Sequence, residues 1–206
     1  MNTLRLTAII AASCSIVMAQ AVTIATHQDP SAGSPEVFTV DTTANIVSAA
    51  WTGSNLNLNL PIIPSSFSNL NMVMNSVAIT STTIVGPLTI HTLGAGEIRY
   101  YSTDINTPEF QINFSSASLI EPSSASAADL SGNNVTFSGS AVASLAGLLS
   151  NEVVNYSFSN PVTTANGRTY TASMTASANV VPEPASMTVI GLVIANAVAR
   201  RRRKLA

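Results

Sequence analysis

Cysteine is almost missing from this chain of 206 residues: Cys14 is the only one, and it lies in an apolar stretch near the N-terminus. If that stretch is removed on export, the remainder has no thiol. Disulfides, thiol catalysis and thiolate metal sites are then excluded together. Histidine is nearly as scarce. His27 and His91 are the two present, too few for a histidine-based zinc centre and without carboxylates at ligand spacing, so no metal and no cofactor is expected. Cations are missing from the middle of the chain. Arg5 stands near the start and Arg200, Arg201, Arg202, Arg203 and Lys204 near the end, leaving only Arg99 and Arg168 between. Residues 22–181 thus carry two positive against nine negative charges, a formal net of −7. Two arginines cannot neutralise a phosphate backbone, so nucleic acid is not an expected partner of this region. A Gly-x-Ser-x-Gly elbow, a phosphate loop and an EF-hand run of acids are absent as well.

What is present is a polar, acidic middle between two apolar segments with basic flanks. Arg5 supplies a positive start, Leu6 to Ala19 an apolar run, and Ala19-Gln20-Ala21 the small-x-small form that signal peptidase accepts. This pattern predicts a signal helix over 1–21 and a mature start at Val22. A lipoprotein variant would use Ala11-Ala12-Ser13-Cys14, but Ala11 stands where that motif wants leucine. The region 22–180 is then an exported domain held by its core alone, and about 160 residues suffice for that.

Within that region the hydrophobic period is close to two. Leu56, Leu58 and Leu60 alternate with asparagines, Phe110, Ile112 and Phe114 with Gln111 and Asn113. Val154, Tyr156 and Phe158, and then Tyr170, Ala172, Met174 and Ala176, repeat the pattern. A strand places such sets on opposite faces. Eight or nine strands are predicted, near 36–41, 45–51, 55–60, 76–91, 97–102, 109–120, 133–143, 152–159 and 168–180. Turn residues fall between them, with Asn166-Gly167 the best hairpin candidate as a type I′ turn. The piece from Ser140 to Ser150 is open to a short helix instead. Thr26 to Pro35 reads as a loose arm that includes His27, and Ser123 to Ala128 as an exposed loop. Many short strands without an amphipathic helix indicate a mainly β fold, an antiparallel β-sandwich or jelly roll.

Candidate chemistry is thin. Glu97, Asp104 and Glu109 cluster in sequence beside Tyr100 and Tyr101, and a glycosidase needs two acids roughly 5 to 10 Å apart. Arg99 lies among them, and on a strand it shares a face with Glu97, so a surface ion pair explains the cluster as well. His91 reads as a strand-end residue near a turn, and Trp51 as core. No catalytic residue is assigned, and the domain is expected not to be an enzyme.

The C-terminus is sharper. Val181-Pro182-Glu183-Pro184 precedes an apolar run from Ala185 to Ala199 and then the basic cluster Arg200 to Lys204. Two prolines within three residues stop the preceding strand. The run of 15 residues would span about 22 Å as a helix, short against a hydrocarbon core of roughly 30 Å. The basic end belongs on the cytoplasmic side, which places 22–180 outside.

This combination over 181–206 resembles the PEP-CTERM sorting signal: a Pro-Glu-Pro motif, a short transmembrane helix over 185–199 and an Arg-rich end. The resemblance implies a bacterium that makes exopolysaccharide and an exosortase-like membrane protease as partner. It also implies Pro182, Glu183 and Pro184 as the recognised residues. An exported protein is expected, anchored in the membrane at least transiently, then placed at the cell surface or in an extracellular matrix in a structural role. The other reading is a surface-anchored carbohydrate-binding β-sandwich module, favoured if aromatic side chains are exposed together and disfavoured if all are buried.

Overall fold

A computed structural model describes residues 20–28, 38–52, 56–63, 65–122 and 128–180. Strands dominate. They are β1 (Gln20–His27), β2 (Phe38–Asp41), β3 (Ile46–Trp51), β4 (Leu58–Leu60) and β5 (Ser65–Phe67). Next come β6 (Asn71–Val85), β7 (Leu88–Leu93), β8 (Gly96–Tyr101), β9 (Phe110–Phe114) and β10 (Ser116–Pro122). The last are β11 (Ala128–Asn133), β12 (Thr136–Ser138), β13 (Leu149–Thr163) and β14 (Gly167–Val180).

Pairing is antiparallel throughout. β7 and β8 lie end to end along one edge of β6, running from Val85↔Leu88 through Ile79↔Leu93 to Asn71↔Tyr101. β9 and β10 follow β8 and β7 in the same way, and β12 and β11 follow those in turn. β11 then pairs β13, β13 pairs β14, and β14 turns to the start of the chain, where Gly167↔Asp41 to Tyr170↔Phe38 join it to β2. β2 pairs β3 and β3 pairs β6, which closes an antiparallel barrel of eight strands.

The sandwich or jelly roll expected from the alternation is corrected to this barrel. A jelly roll needs Greek-key connections that skip neighbours, whereas each rim connection here leads to the adjacent strand. β6, β13 and β14 are 15, 15 and 14 residues long. Such strands, bent by irregularities such as those at Ser150/Val153 and Ser159/Val162, curl the sheet until its edges meet.

Local differences have local causes. The single strand expected over 76–91 is a hairpin, turned at Gly86 in the left-handed region. Asn166-Gly167 ends a four-residue loop between the paired Thr163 and Arg168. Of the two, only Gly167 has positive φ, so the turn is not type I′. Ser140–Leu145 is a 3-10 helix. Ala128, expected in a loop, is buried at the start of β11. The expected loose arm is in part strand β1, which pairs with β14 from Gln20↔Val180 to His27↔Met174. A register shift between Thr23 and Ala25 lets both Ile24 and Ala25 face the core and turns His27 inward.

Burial follows the period of two. Phe110, Ile112 and Phe114, and Val154, Tyr156 and Phe158, all point into the barrel. Their rings join others in one column. Tyr170 meets Phe158 at 5.2 Å between centroids, Phe158 meets Phe38 at 4.6 Å, and Phe38 meets Tyr156 at 5.1 Å. The column continues through His27 to Tyr100, Phe110 and Phe137. These separations are those of favourable tilted and edge contacts. In its middle the hydroxyls of Tyr100 and Tyr156 bond at 2.8 Å, a polar link in an apolar interior. Burial pushes both phenols well above their ordinary range, so both are protonated and one hydroxyl donates to the other. Tyr100→Phe is therefore expected to strand the Tyr156 hydroxyl and destabilise the fold by about 1–3 kcal/mol. Urea unfolding measures this, and an unchanged midpoint would show that the pair contributes nothing.

Candidate functional site

The period of two also carries polar residues inside. On β10, Ala117 and Leu119 face the core, and Glu121 follows them two residues later. On β7, His91 shares the inward parity of Leu93. The pairing sets β7 beside β10, and the two side chains meet. His91 is 4% exposed and Glu121 is 7%.

His91 Nε2 lies 2.9 Å from Glu121 Oε2, and His91 Nδ1 lies 2.8 Å from the Thr82 hydroxyl on β6. The Tyr170 hydroxyl donates to the other carboxylate oxygen of Glu121. A carboxylate accepts only, so in the neutral ring Nε2 carries the proton and Nδ1 accepts from Thr82. Burial alone would raise the Glu121 carboxyl. The hydrogen bonds from His91 and Tyr170, helped by the charges of His91 and Arg168, outweigh it and hold the carboxyl below its ordinary value. Tyr170 is pushed up to about 12, mainly by burial and then by Glu121. The floor is thus one chain of donors and acceptors: tyrosine, carboxylate, imidazole, threonine.

Above this floor opens a cavity of about 460 Å³ at one end of the barrel. Its walls include Asn45 from the β2–β3 turn, Thr82 from β6, Thr89 from β7 and Arg168 from β14. The sheet leaves room there because β3 pairs β6 only as far as Ala78, while β6 runs on to Val85 against β7 alone. A second cavity of about 300 Å³ lies against the 3-10 helix and Leu149. Leu149 pairs with Val180, so this cavity is at the opposite end of β14.

The residues singled out from the sequence fall elsewhere. Glu97 pairs with Arg99 at 2.6 Å. Glu109 accepts from the backbone and hydroxyl of Ser102, and Asp104 accepts from Asn106 in its own turn. Each carboxylate is occupied locally, which fits the ion-pair reading of the cluster better than a catalytic pair. Trp51 is core. His27, expected at a surface, is buried among Trp51, Tyr100 and Tyr156. His91, read as a strand-end residue, is instead the centre of the buried network, and Glu121 was not singled out at all. Parity held the signal for both: a carboxylate and an imidazole, each in the inward register of a strand. Among the described residues no group of three or more His, Cys, Asp or Glu side chains is arranged to hold a metal.

The sorting residues Pro182, Glu183 and Pro184, the run 185–199 and the cluster Arg200 to Lys204 lie outside the described residues, as does Ala19. Ala21 is in β1, where it pairs with Asn179. Cleavage after Ala21 would leave Ile24, Ala25 and His27 in place. Among the described residues no helix is long and apolar enough to cross a membrane.

No curated protein and no solved structure matches the chain. The profile of the PEP-CTERM protein-sorting motif matches residues 180–204, beginning on the last residue of β14. The chain carries the PEP-CTERM sorting signal of an exported, exosortase-processed protein.

Proposed function

We propose that residues 22–180 form a non-catalytic structural domain, displayed at the cell surface or shed into an exopolysaccharide matrix after an exosortase-like protease acts on the tail. The observation that carries this reading is the meeting of fold and signal at Val180, which ends the barrel's last strand and opens the sorting motif. One residue, Val181, separates the barrel from Pro182.

The same end of the barrel receives the start of the chain, since Gln20 pairs with Val180. Signal peptide and sorting tail thus attach side by side. The Gly167–Arg168 end of β14 lies roughly 40 Å further along the strand at 3.3 Å per residue. The cavity at that end would face away from the membrane before release.

The aromatic side chains argue against the reading in which carbohydrate stacks on an exposed aromatic platform. None of the eleven is exposed, and eight are buried. A sugar-stacking platform needs a ring face open to solvent.

The test is the intact mass of the protein from medium and membrane fractions of the producing organism. The expected species starts at Val22 and lacks Arg200 to Lys204. A full-length tail retained in the membrane would instead make the protein a single-pass anchored ectodomain.

A further inference from the structure

We infer that the cavity above His91 and Glu121 binds a small molecule that carries one carboxylate on a hydroxyl-rich scaffold the size of a single sugar ring. The inference does not depend on the display reading, because it rests on the folded barrel alone.

The volume comes first. About 460 Å³ falls within the roughly 300–1,000 Å³ of small-molecule sites. The floor is the second observation. A buried ion pair is commonly no more stable than apolar side chains of similar volume. Here His91 and Glu121 occupy inward positions in an interior built mainly of aliphatic and aromatic side chains. A polar network kept in such a core marks a place where something other than stability is served.

Charge then narrows the ligand. Residues 22–181 hold two cations. Arg99 is engaged by Glu97 at 2.6 Å. Arg168 lines the cavity half-buried and makes no ion pair within 4 Å among the described residues. Glu121 beneath it already accepts from His91 and Tyr170, so its charge is largely answered from below. Arg168 also bonds to the Tyr170 hydroxyl and lends its charge to Glu121; the remaining donors of its guanidinium fork line the cavity, and their planar array matches a carboxylate. Around it stand Asn45 and Thr89, which can donate and accept, and Thr42 and Thr82, whose hydroxyls donate to the Asn166 carbonyl and His91 and keep an oxygen that can accept from a ligand hydroxyl. A ligand with two carboxylates would bring its second charge toward Glu121. A neutral polyol would leave the fork unmatched. A monocarboxylate bearing hydroxyls satisfies both.

The experiment is calorimetric titration of the full-length chain in detergent with D-glucuronate, D-glucose and acetate. Glucose keeps the ring without the carboxylate, and acetate the carboxylate without the ring. Saturable binding of glucuronate is expected, weaker for both others. Arg168→Gln should weaken glucuronate about tenfold or more, the loss of one charge-assisted contact, in a chain that stays folded by circular dichroism. Arg168→Lys, which keeps the charge and loses the fork, should fall between. Failure to bind glucuronate at about 10 mM, below even weak specific affinities, would overturn the inference. So would equal affinity for glucose, or an Arg168→Gln chain that is folded and binds as before.

Discussion

A Glu121→Ala chain is expected to lose about 3–5 kcal/mol of stability, because it removes one partner of a buried pair and leaves the others without an acceptor. His91 Nε2 and the Tyr170 hydroxyl both donate to this carboxylate, and alanine answers neither. Glu121→Gln separates charge from hydrogen bonding. Its amide keeps one acceptor oxygen but faces one of the two donors with an NH₂ group, so an intermediate loss is expected. The pH profile carries the sign. The Glu121 carboxyl titrates below its ordinary 4.5 in the fold, so its contribution is full above that value and is lost as pH falls through the lowered one. Tyr170 is raised from 10.0 to about 12. Its neutral form is the one the fold favours, so stability is full below pH 10.0 and is lost between there and about 12. Urea unfolding at a series of pH values reads both limbs. Wild type and Glu121→Gln losing stability in parallel on the acid side would show that the carboxylate is not ionised in the fold.

Gly167→Val is expected to prevent closure of the barrel, with a loss above about 4 kcal/mol, the range reserved for severe local conflicts. Gly167 sits at φ +157 where β14 meets β2. A Cβ built there lies 1.9 Å from the backbone oxygen of Val40 and 3.0 Å from its carbon. Neither atom can rotate away as a side-chain tip would, so β2 must part from β14. Thr42 N–H then loses the Asn166 carbonyl, a bond of 2.9 Å across the same seam. An opened barrel exposes two unpaired edges, which invites association as well as unfolding. Gly94→Ala is the control: its Cβ would meet only Thr80 Cγ2 at 3.8 Å and Ala78 O at 3.9 Å, ordinary contacts. Circular dichroism and soluble yield should separate the two variants widely. A Gly167→Val chain that melts with the wild type would mean the seam adjusts freely.

The contrast between Gly167 and its neighbours shows where sequence reading reached its limit. Asn166-Gly167 was legible as a turn from its residue types, though Asn166 does not take the positive φ that a type I′ turn needs. That the glycine is needed for the approach of Val40, more than 120 positions earlier in the chain, was not. Glu121 makes the same point. Its parity with Ala117 and Leu119 was readable, but a lone carboxylate in an inward register has no meaning until β7 brings His91 beside it. His27 was misplaced because a register shift in β1 changes which side chains face inward without leaving a mark in composition.

Sequence alone determined the β class, since a period of two is a property of the extended backbone and needs no tertiary partner to be read. It determined the sorting signal too, because a short motif, an apolar run and a basic end act as a linear address. The closure into a barrel, the cavity at its mouth and the network beneath Arg168 were decided only by the tertiary structure. Each depends on which strand pairs with which and in what register, and those pairings join residues that are far apart along the chain.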